Sequence, residues 1–399
     1  MTTQTIMFVV GEASADAHAA VLIRELRRQS PDVQLFGAGG PKMRDAGMEL
    51  RLDLTEHAVV GLVEVLKSYR KFRRIFNDLL AEVARRRPGA VVLVDFPGFN
   101  LRLATAVKQR HPQTKVIYYI SPQLWAWHGS RAKQIERDID LMVTIFPFEK
   151  DWYARHAPKL RVEFVGHPMI DQLREATDLS GCHPERSEGS LSKTPEILRS
   201  AHNDKREDNL VLLLPGSRER EVAKIWPILA KVVDEMPGNV EFVAAAVNEQ
   251  TAAMMRHPRV RVEVGMAQAW MRRAALAITA SGTATMECAF HGCPMIVVYK
   301  VAGLTYLVGR MVVTVNWLAM PNVIAGREIV PEFIQYDARP GRIAGAARQL
   351  LENSAKREAM QRDLAAVVGP LGGPGASDRA ARVILDLLTA KSAKDTKSL

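Results

Sequence analysis

Two doubly wound α/β domains are predicted for this 399-residue chain, and three observations predict them. Short β-rich runs alternate with helical periods from end to end, the pattern of parallel strands joined by crossover helices. The alternation breaks at a polar stretch over 179–209 that has no sustained apolar period, then restarts. Hydrophobic residues make up 47% of the chain, enough at this length for two cores. The boundaries read as a first domain over 1–178, a flexible linker over 179–209, a second domain over 210–371, and a C-terminal helix with a frayed tail over 372–399.

In the first half the predicted strands are Thr5–Val10, Val33–Ala38, Ala90–Val94, Lys115–Ile120, Leu141–Ile145 and a weaker Val162–Val165. Helical periods lie between them over Ala15–Gln29, Tyr69–Arg87 and Leu101–Gln109. In the second half the strands are Leu210–Leu214, Val240–Ala245, Arg261–Val264, Ala275–Thr279 and Met295–Tyr299. Past Pro331 the chain turns helical over Pro340–Glu352, Lys356–Val368 and Ser377–Thr389, with Ser377 and Asp378 placed to cap the last. Doubly wound units bind ligands at the carboxyl ends of their strands, so two such units face to face would leave a cleft.

A formal net charge of +10 favours acidic partners such as nucleotides, phosphorylated sugars and anionic lipid. No aromatic-interleaved basic stripe or zinc-finger spacing points to nucleic acid. Cys182, Cys288 and Cys293 lack metal-ligand spacing and suit a reducing compartment, and His183 and His202 in the linker carry no functional weight. The N-terminus enters a strand directly, so no secretory leader is expected. The longest apolar stretch, Val301–Met320, is interrupted by Arg310 and Asn316 and makes a poor membrane span.

The sharpest motif is Ser281-Gly-Thr-Ala-Thr-Met-Glu after the run Leu276–Ala280. A strand that ends in small and hydroxyl residues and opens a helix aims free N–H groups and a helix dipole at one point, a cradle for phosphate. It is formed by Ser281, Gly282, Thr283 and Thr285, and Glu287 stands about one turn on, where a carboxylate can take ribose hydroxyls. Leu212-Leu-Leu-Pro-Gly-Ser-Arg repeats the theme: a tight turn at Gly216 and Ser217, then Arg218 with the fork geometry for a diphosphate, favoured over a surface arginine.

In the first half, Gly11-Glu-Ala-Ser-Ala-Asp ends the first strand in small residues and offers Glu12 to a ligand, or else is a helix start capped by Ser14 or Asp16. Asp95 closes the buried run Val91–Val94, where a carboxylate is well placed as a general base or else only makes the turn, while Asn100 can cap the next helix. Asn322 follows a proline turn in an apolar neighbourhood and can orient a sugar hydroxyl or cap a helix. Leu62, Val65, Leu66, Tyr69, Phe72 and Phe76 recur at helical spacing among basic residues, as in a helix lying on an anionic bilayer or a core helix with a solvated basic face. Asp138-Ile-Asp140 fits a DxD metal pattern in form, but its two carboxylates end a helix and open a strand.

Taken together, Gly11-Glu-Ala-Ser-x-Asp, Val94-Asp-x-Pro-x-Phe-Asn, Ser121-Pro-Gln-Leu-Trp-Ala-Trp, Phe146-Pro-Phe-Glu and Gly166-His resemble the lipid-A-disaccharide synthase family. Pro215-Gly-Ser-Arg, Ala280-Ser-Gly-Thr-Ala-Thr-x-Glu-Cys and Pro321-Asn-x-x-Ala-Gly-Arg-Glu extend the likeness in family order, leaving out the linker and the tail. The resemblance implies a GT-B fold, two Rossmann-like domains with the C-terminal one holding uridine diphosphate. It implies transfer of 2,3-diacylglucosamine from its UDP donor to 2,3-diacylglucosamine 1-phosphate (lipid X), giving a β-1,6 disaccharide and UDP, with no metal and no cofactor. It places the work at the cytoplasmic face of the inner membrane, on an anionic surface, and leaves a homo-oligomer open. Asp95 falls on the family's essential aspartate, and Glu12 and Asn322 on positions implicated in activity. Ala15 and Ala19 stand where the family usually has glycine. The other readings weighed are a UDP-N-acetylglucosamine 2-epimerase-like isomerase and a non-catalytic sugar-nucleotide binder.

Overall fold

The computed structural model describes residues 4–54, 62–127, 129–172, 206–301 and 315–395. The chain divides into two compact units, Met1–Pro184 with Leu371–Leu399, and Glu185–Pro370.

The first unit holds seven strands: β1 (Thr5–Val10), β2 (Gln34–Gly39), β3 (Glu49–Asp53), β4 (Ala90–Val94), β5 (Lys115–Tyr119), β6 (Leu141–Thr144) and β7 (Val162–Phe164). They form one parallel sheet in the order β3-β2-β1-β4-β5-β6-β7. The order reverses direction between β1 and β4, the switch point at which doubly wound sheets open to ligand. Side chains alternate between two apolar layers, as a period of two requires. Ile6, Phe8 and Val10 enter one cluster with the helix Ala13–Gln29, while Met7 and Val9 enter the other with the helices Leu62–Arg86 and Pro97–Arg110.

The second unit has β8 (Glu207–Leu214), β9 (Glu241–Ala246), β10 (Val260–Val264), β11 (Ala274–Ala280), β12 (Met295–Tyr299) and β13 (Glu332–Ile334), parallel in the order β10-β9-β8-β11-β12-β13. Its switch point lies between β8 and β11, where the Gly216 and Ser281 turns emerge.

Several local expectations are corrected. The strands β3 and β13 were not predicted. Arg206–Asn209, assigned above to the linker, lead into and open β8; Arg206 donates to the carbonyls of Met271, Ala274 and His291. The rest of that predicted linker lies outside the described residues. The helix Ala376–Asp395 packs into the first unit, burying Ala380, Ala381, Ile384 and Leu388 beside Leu22 and Leu26. Asp171 caps it, accepting from the Gly375 N–H (2.6 Å) and the Ser377 N–H (2.8 Å). Asp378 instead pairs with Arg28 and Gln29. Ala15 and Ala19 are buried inside the helix Ala13–Gln29, where alanine is the best helix former and a glycine would cost about 1 kcal/mol.

Among the described residues no helix is long and apolar enough to cross a membrane.

Candidate active site

At the switch point of the first unit, β1 and β4 run side by side with Val10 paired to Val94, so Glu12 and Asp95 leave adjacent strand ends. The turn after β4 is strained: Asp95 and Phe96 both have φ near +49°, a left-handed conformation that costs an L-residue about 1 kcal/mol or more. Three contacts hold it. The Tyr118 hydroxyl donates to the Asp95 carbonyl at 2.6 Å, and the Asn100 amide donates to the same carbonyl at 2.8 Å. The Phe96 ring stacks on Phe99 and lies over Gly11, where an added Cβ would sit 2.6 Å from the ring.

Asn100 is therefore a brace and not the predicted cap. It is fully buried, and its amide also reaches the carbonyls of Val9 and Val94, tying β1 to β4. Asp16 is likewise not a cap of its own helix. It accepts the N–H groups of Gly40, Lys42 and Met43 at the start of Pro41–Asp45, and burial still raises its pKa against those bonds. Glu12 is half-buried at the N-terminus of Ala13–Gln29.

The loops after β5 and β6 are joined by Glu149. Its buried carboxylate accepts the N–H groups of Ile145 (3.3 Å) and Phe146 (3.1 Å) and the Trp125 indole N–H (3.4 Å), and burial pushes its pKa up to about 7. His18 and His167 meet edge to face nearby, and burial lowers them to about 4 and about 3, so both are neutral at pH 7. Sequence reasoning missed Tyr118 and Glu149. A tyrosine in a fully buried strand is the signal for the first, because its hydroxyl must find a partner.

The aromatic run on Leu62–Arg86 divides. Phe76 packs edge to face on Phe99 and joins the core with Ile75, Leu79 and Val83. Phe72 is half-buried against Phe96 and Phe99, beside the Asp95 turn. The side chains of Leu62, Val65, Leu66 and Tyr69 lie outside the described residues. Asp138 is taken by Arg137 and Thr105, and Asp140 by Lys108, Lys115 and the Val116 N–H, so the DxD pattern is structural. Among the described residues no group of three His, Cys, Asp or Glu side chains could hold a metal ion.

In the second unit, Gly216 has φ +124° and a Cβ there would meet Glu221 at 2.6 Å, so the turn requires glycine. The Ser217 N–H donates to Glu221, and Arg218 opens the helix Glu219–Glu235 with its guanidinium half exposed. The next strand brings Ser281 and Gly282 to the start of the helix Thr283–Phe290, whose first N–H groups have no intrahelical acceptor. Two of the turn's hydroxyls are already engaged: Ser281 donates to the Leu318 carbonyl (3.2 Å) and Thr285 to that of Gly282 (2.7 Å), while Thr283 is exposed. Any anion here would thus meet backbone N–H groups, the Thr283 hydroxyl and Arg218. Glu287 makes no side-chain hydrogen bond among the described residues, and burial raises its pKa.

Asn322 is fully buried and fully spent. Its amide donates to the Val330 carbonyl (2.8 Å) and Glu332 (2.7 Å), and its oxygen accepts from Ile329 and Val330. Glu332 also takes the N–H groups of Leu318 and Ala319, which joins the Asn322 turn to the segment that holds Ser281. Asn322 thus shapes the loops and presents no free amide. Arg327 pairs with Asp363.

A family model described as lipid-A-disaccharide synthetase matches residues 6–380. A lipid-A-disaccharide synthase of Geobacter sulfurreducens is 38% identical, covering 97% of this chain and 98% of its own length. One of Koribacter versatilis is 36% identical, covering 97% and 99%. Among solved structures, a putative UDP-N-acetylglucosamine 2-epimerase from Listeria monocytogenes superposes with a TM-score of 0.63 at 15% identity, over 95% of each chain. The calicheamicin glycosyltransferase superposes at 0.58 and 16% identity, over 98% of this chain and 99% of its own. The two structural likenesses give the fold alone, the GT-B type with two Rossmann-like units.

Proposed function

The chain belongs to the lipid-A-disaccharide synthetase family, and from that premise we propose that it is an inverting, metal-independent glycosyltransferase. Its donor is UDP-2,3-diacylglucosamine and its acceptor the 6-hydroxyl of 2,3-diacylglucosamine 1-phosphate. The observation that carries the reading is Asp95, a carboxylate at the switch point on a strained turn that Tyr118 and Asn100 hold. Such a group is preorganised to receive a proton.

The acceptor belongs to the first unit and the donor to the second. Asp95 takes the proton of the 6-hydroxyl as that oxygen bonds to the donor's anomeric carbon. The bond from that carbon to the diphosphate breaks on the opposite face, and UDP leaves with the electron pair. Arg218 and the free N–H groups at Gly282 and Thr283 offset the charge that grows on the diphosphate. Glu287 accepts the ribose hydroxyls. Glu12 orients the acceptor beside Asp95, and Asn322 acts through the loops it braces.

The enzyme works on the cytoplasmic face of the inner membrane. Leu62, Val65, Leu66 and Tyr69 meet the bilayer, with Arg70, Lys71, Arg73 and Arg74 exposed on the turns that follow. Replacing Leu62, Val65 and Leu66 with Ser reduces flotation with anionic vesicles while turnover in detergent persists; unchanged flotation removes the membrane assignment.

The deciding experiment is disaccharide formation from the two lipids in detergent with EDTA, for wild type and Asp95→Asn side by side. Product from wild type alone supports the reading. Folded wild type that binds UDP, makes no disaccharide and turns over the UDP-sugar without acceptor supports an epimerase instead.

A further inference from the structure

The acceptor in the proposed reaction carries a phosphate, and a second charged side chain stands beside the Asp95 turn. The connection from β5 to β6 runs through the helix Leu124–Trp127, a single 3-10 turn Gly129–Arg131 and the helix Ala132–Asp138. That last helix lies along Pro97–Arg110, the helix that follows Asp95. Gln134 donates to the Leu101 carbonyl (3.3 Å) and the Thr105 hydroxyl (3.1 Å), and Thr105 donates to Asp138 (2.5 Å). The two helices run in the same direction, since residues 134 and 138 meet 101 and 105 in that order. Arg131 is the N-cap of that helix, about one turn before Gln134. Tyr118 links it to the strained turn: its hydroxyl bonds the Asp95 carbonyl, and its phenol feels the Asp95 carboxylate and the Arg131 guanidinium with opposite sign.

Arg131 is half-buried and makes no hydrogen bond or ion pair with any described residue. Neighbouring cations are engaged: Lys108 and Lys115 on Asp140, and Arg137 on Asp138. Lys42 is exposed beyond β2, two strands from β4. The planar fork of a guanidinium suits phosphate oxygens two at a time. Adjacent strands are about 4.8 Å apart, so a group one strand over on the β5 side is within a sugar's reach of a hydroxyl at Asp95. On a pyranose C5 and C1 flank the ring oxygen, so the anomeric phosphate lies along the ring-oxygen edge, about one strand spacing from the 6-hydroxyl.

We propose that Arg131 recognises the acceptor's anomeric phosphate and so makes the enzyme selective for a phosphorylated acceptor. The inference rests on the glycosyltransferase reading above. Trp125, fixed by Glu149 and packed edge to face on Phe148, borders the same connection and limits its movement.

The test compares 2,3-diacylglucosamine 1-phosphate with its dephosphorylated counterpart as acceptors, in neutral detergent without anionic lipid. Wild type, Arg131→Ala, Arg131→Lys and Lys133→Ala are assayed, with circular dichroism to check the fold. Arg131→Ala is expected to lower kcat/KM about thirtyfold for the phosphorylated acceptor, mainly through KM, and to leave the other acceptor unchanged. Arg131→Lys recovers part of the loss, and Lys133→Ala, an exposed neighbour, behaves as wild type. Equal losses on both acceptors, or a shift of the acid limb of the pH–rate profile at unchanged preference, each overturn the proposal. Folded wild type that makes no disaccharide from either acceptor overturns the functional reading and this proposal together; product with preference intact in Arg131→Ala overturns this proposal alone.

Discussion

Gly11 and Phe96 occupy one space: a Cβ on Gly11 would lie 2.6 Å from the Phe96 ring, closer than real side chains approach. The glycine at the end of β1 is there for the ring, which in turn covers the strained turn behind Asp95. Gly11→Ala must push Phe96 aside, at a cost of about 1–3 kcal/mol for overpacking. Because displacement of a reacting group by about 1 Å can cost 100-fold in rate, turnover is expected to fall much further than stability. Gly11→Ala with Phe96→Leu should regain part of both in melting and disaccharide assays. No recovery would mean that the ring matters for itself.

Asp95 carries a left-handed backbone that glycine adopts without strain. Asp95→Gly is expected to raise the melting temperature, by relief of about 1 kcal/mol, while removing the carboxylate lowers turnover by about 100- to 10,000-fold. A fall in melting temperature would show that the carboxylate itself holds the turn. Tyr118→Phe loses the 2.6 Å bond to the Asp95 carbonyl and keeps the ring. It should slow turnover about tenfold with UDP affinity unchanged, which titration calorimetry checks.

Glu287 is a carboxylate with no hydrogen-bond partner among the described residues, in a setting that raises its pKa. Glu287→Gln is expected to weaken UDP binding about tenfold and to have a much smaller effect on a 2′,3′-dideoxy analogue. Equal losses for both ligands would take the ribose role away from it.

These assignments show which parts of the molecule the letters carried. The central strands were legible because Val91–Val94 or Leu276–Ile278 is apolar on both faces, and a run buried on both sides needs no partner to be recognised. The edge strands were not. Glu49-Leu-Arg-Leu-Asp is charged at every second position, and β13 is three residues long with its Glu332 bound to backbone N–H groups. Asp95, Arg218 and the Ser281 turn were legible because they end strands. The roles of Asp16, Asn100 and Asn322 were not, because each reads as a helix cap or a ligand group while its partners sit elsewhere in the chain. Asn100 bonds Val9, ninety-one positions away, and no local pattern records that.

Asn322 makes the contrast testable. Asn322→Ala strands two N–H groups, a carbonyl and part of Glu332 in a buried setting, at about 1–3 kcal/mol for each unpaired group. Stability of the second unit and UDP affinity should fall together with turnover, as followed by denaturant unfolding and UDP titration. Lost turnover at unchanged stability would place the amide on the substrate.

Glu149 gives the pH dependence. Burial pushes its pKa up to about 7, above its value in the unfolded chain, so the folded state keeps a proton that the unfolded state has released. Its contribution is complete below about pH 4.5 and is lost as pH rises through about 7, up to about 3 kcal/mol for the full shift. His18 and His167 act in the opposite sense: their lowered pKa values cost stability as pH falls below about 6.5. Both histidines remain in Glu149→Gln, so the difference between that variant and wild type isolates the carboxyl. The glutamine places a donor against the Trp125 indole N–H, a penalty that does not change with pH. The stability advantage of wild type should therefore shrink steadily between pH 5 and pH 8 in paired melting curves. A constant gap would mean that Glu149 is ionised throughout, held by the N–H groups of Ile145 and Phe146.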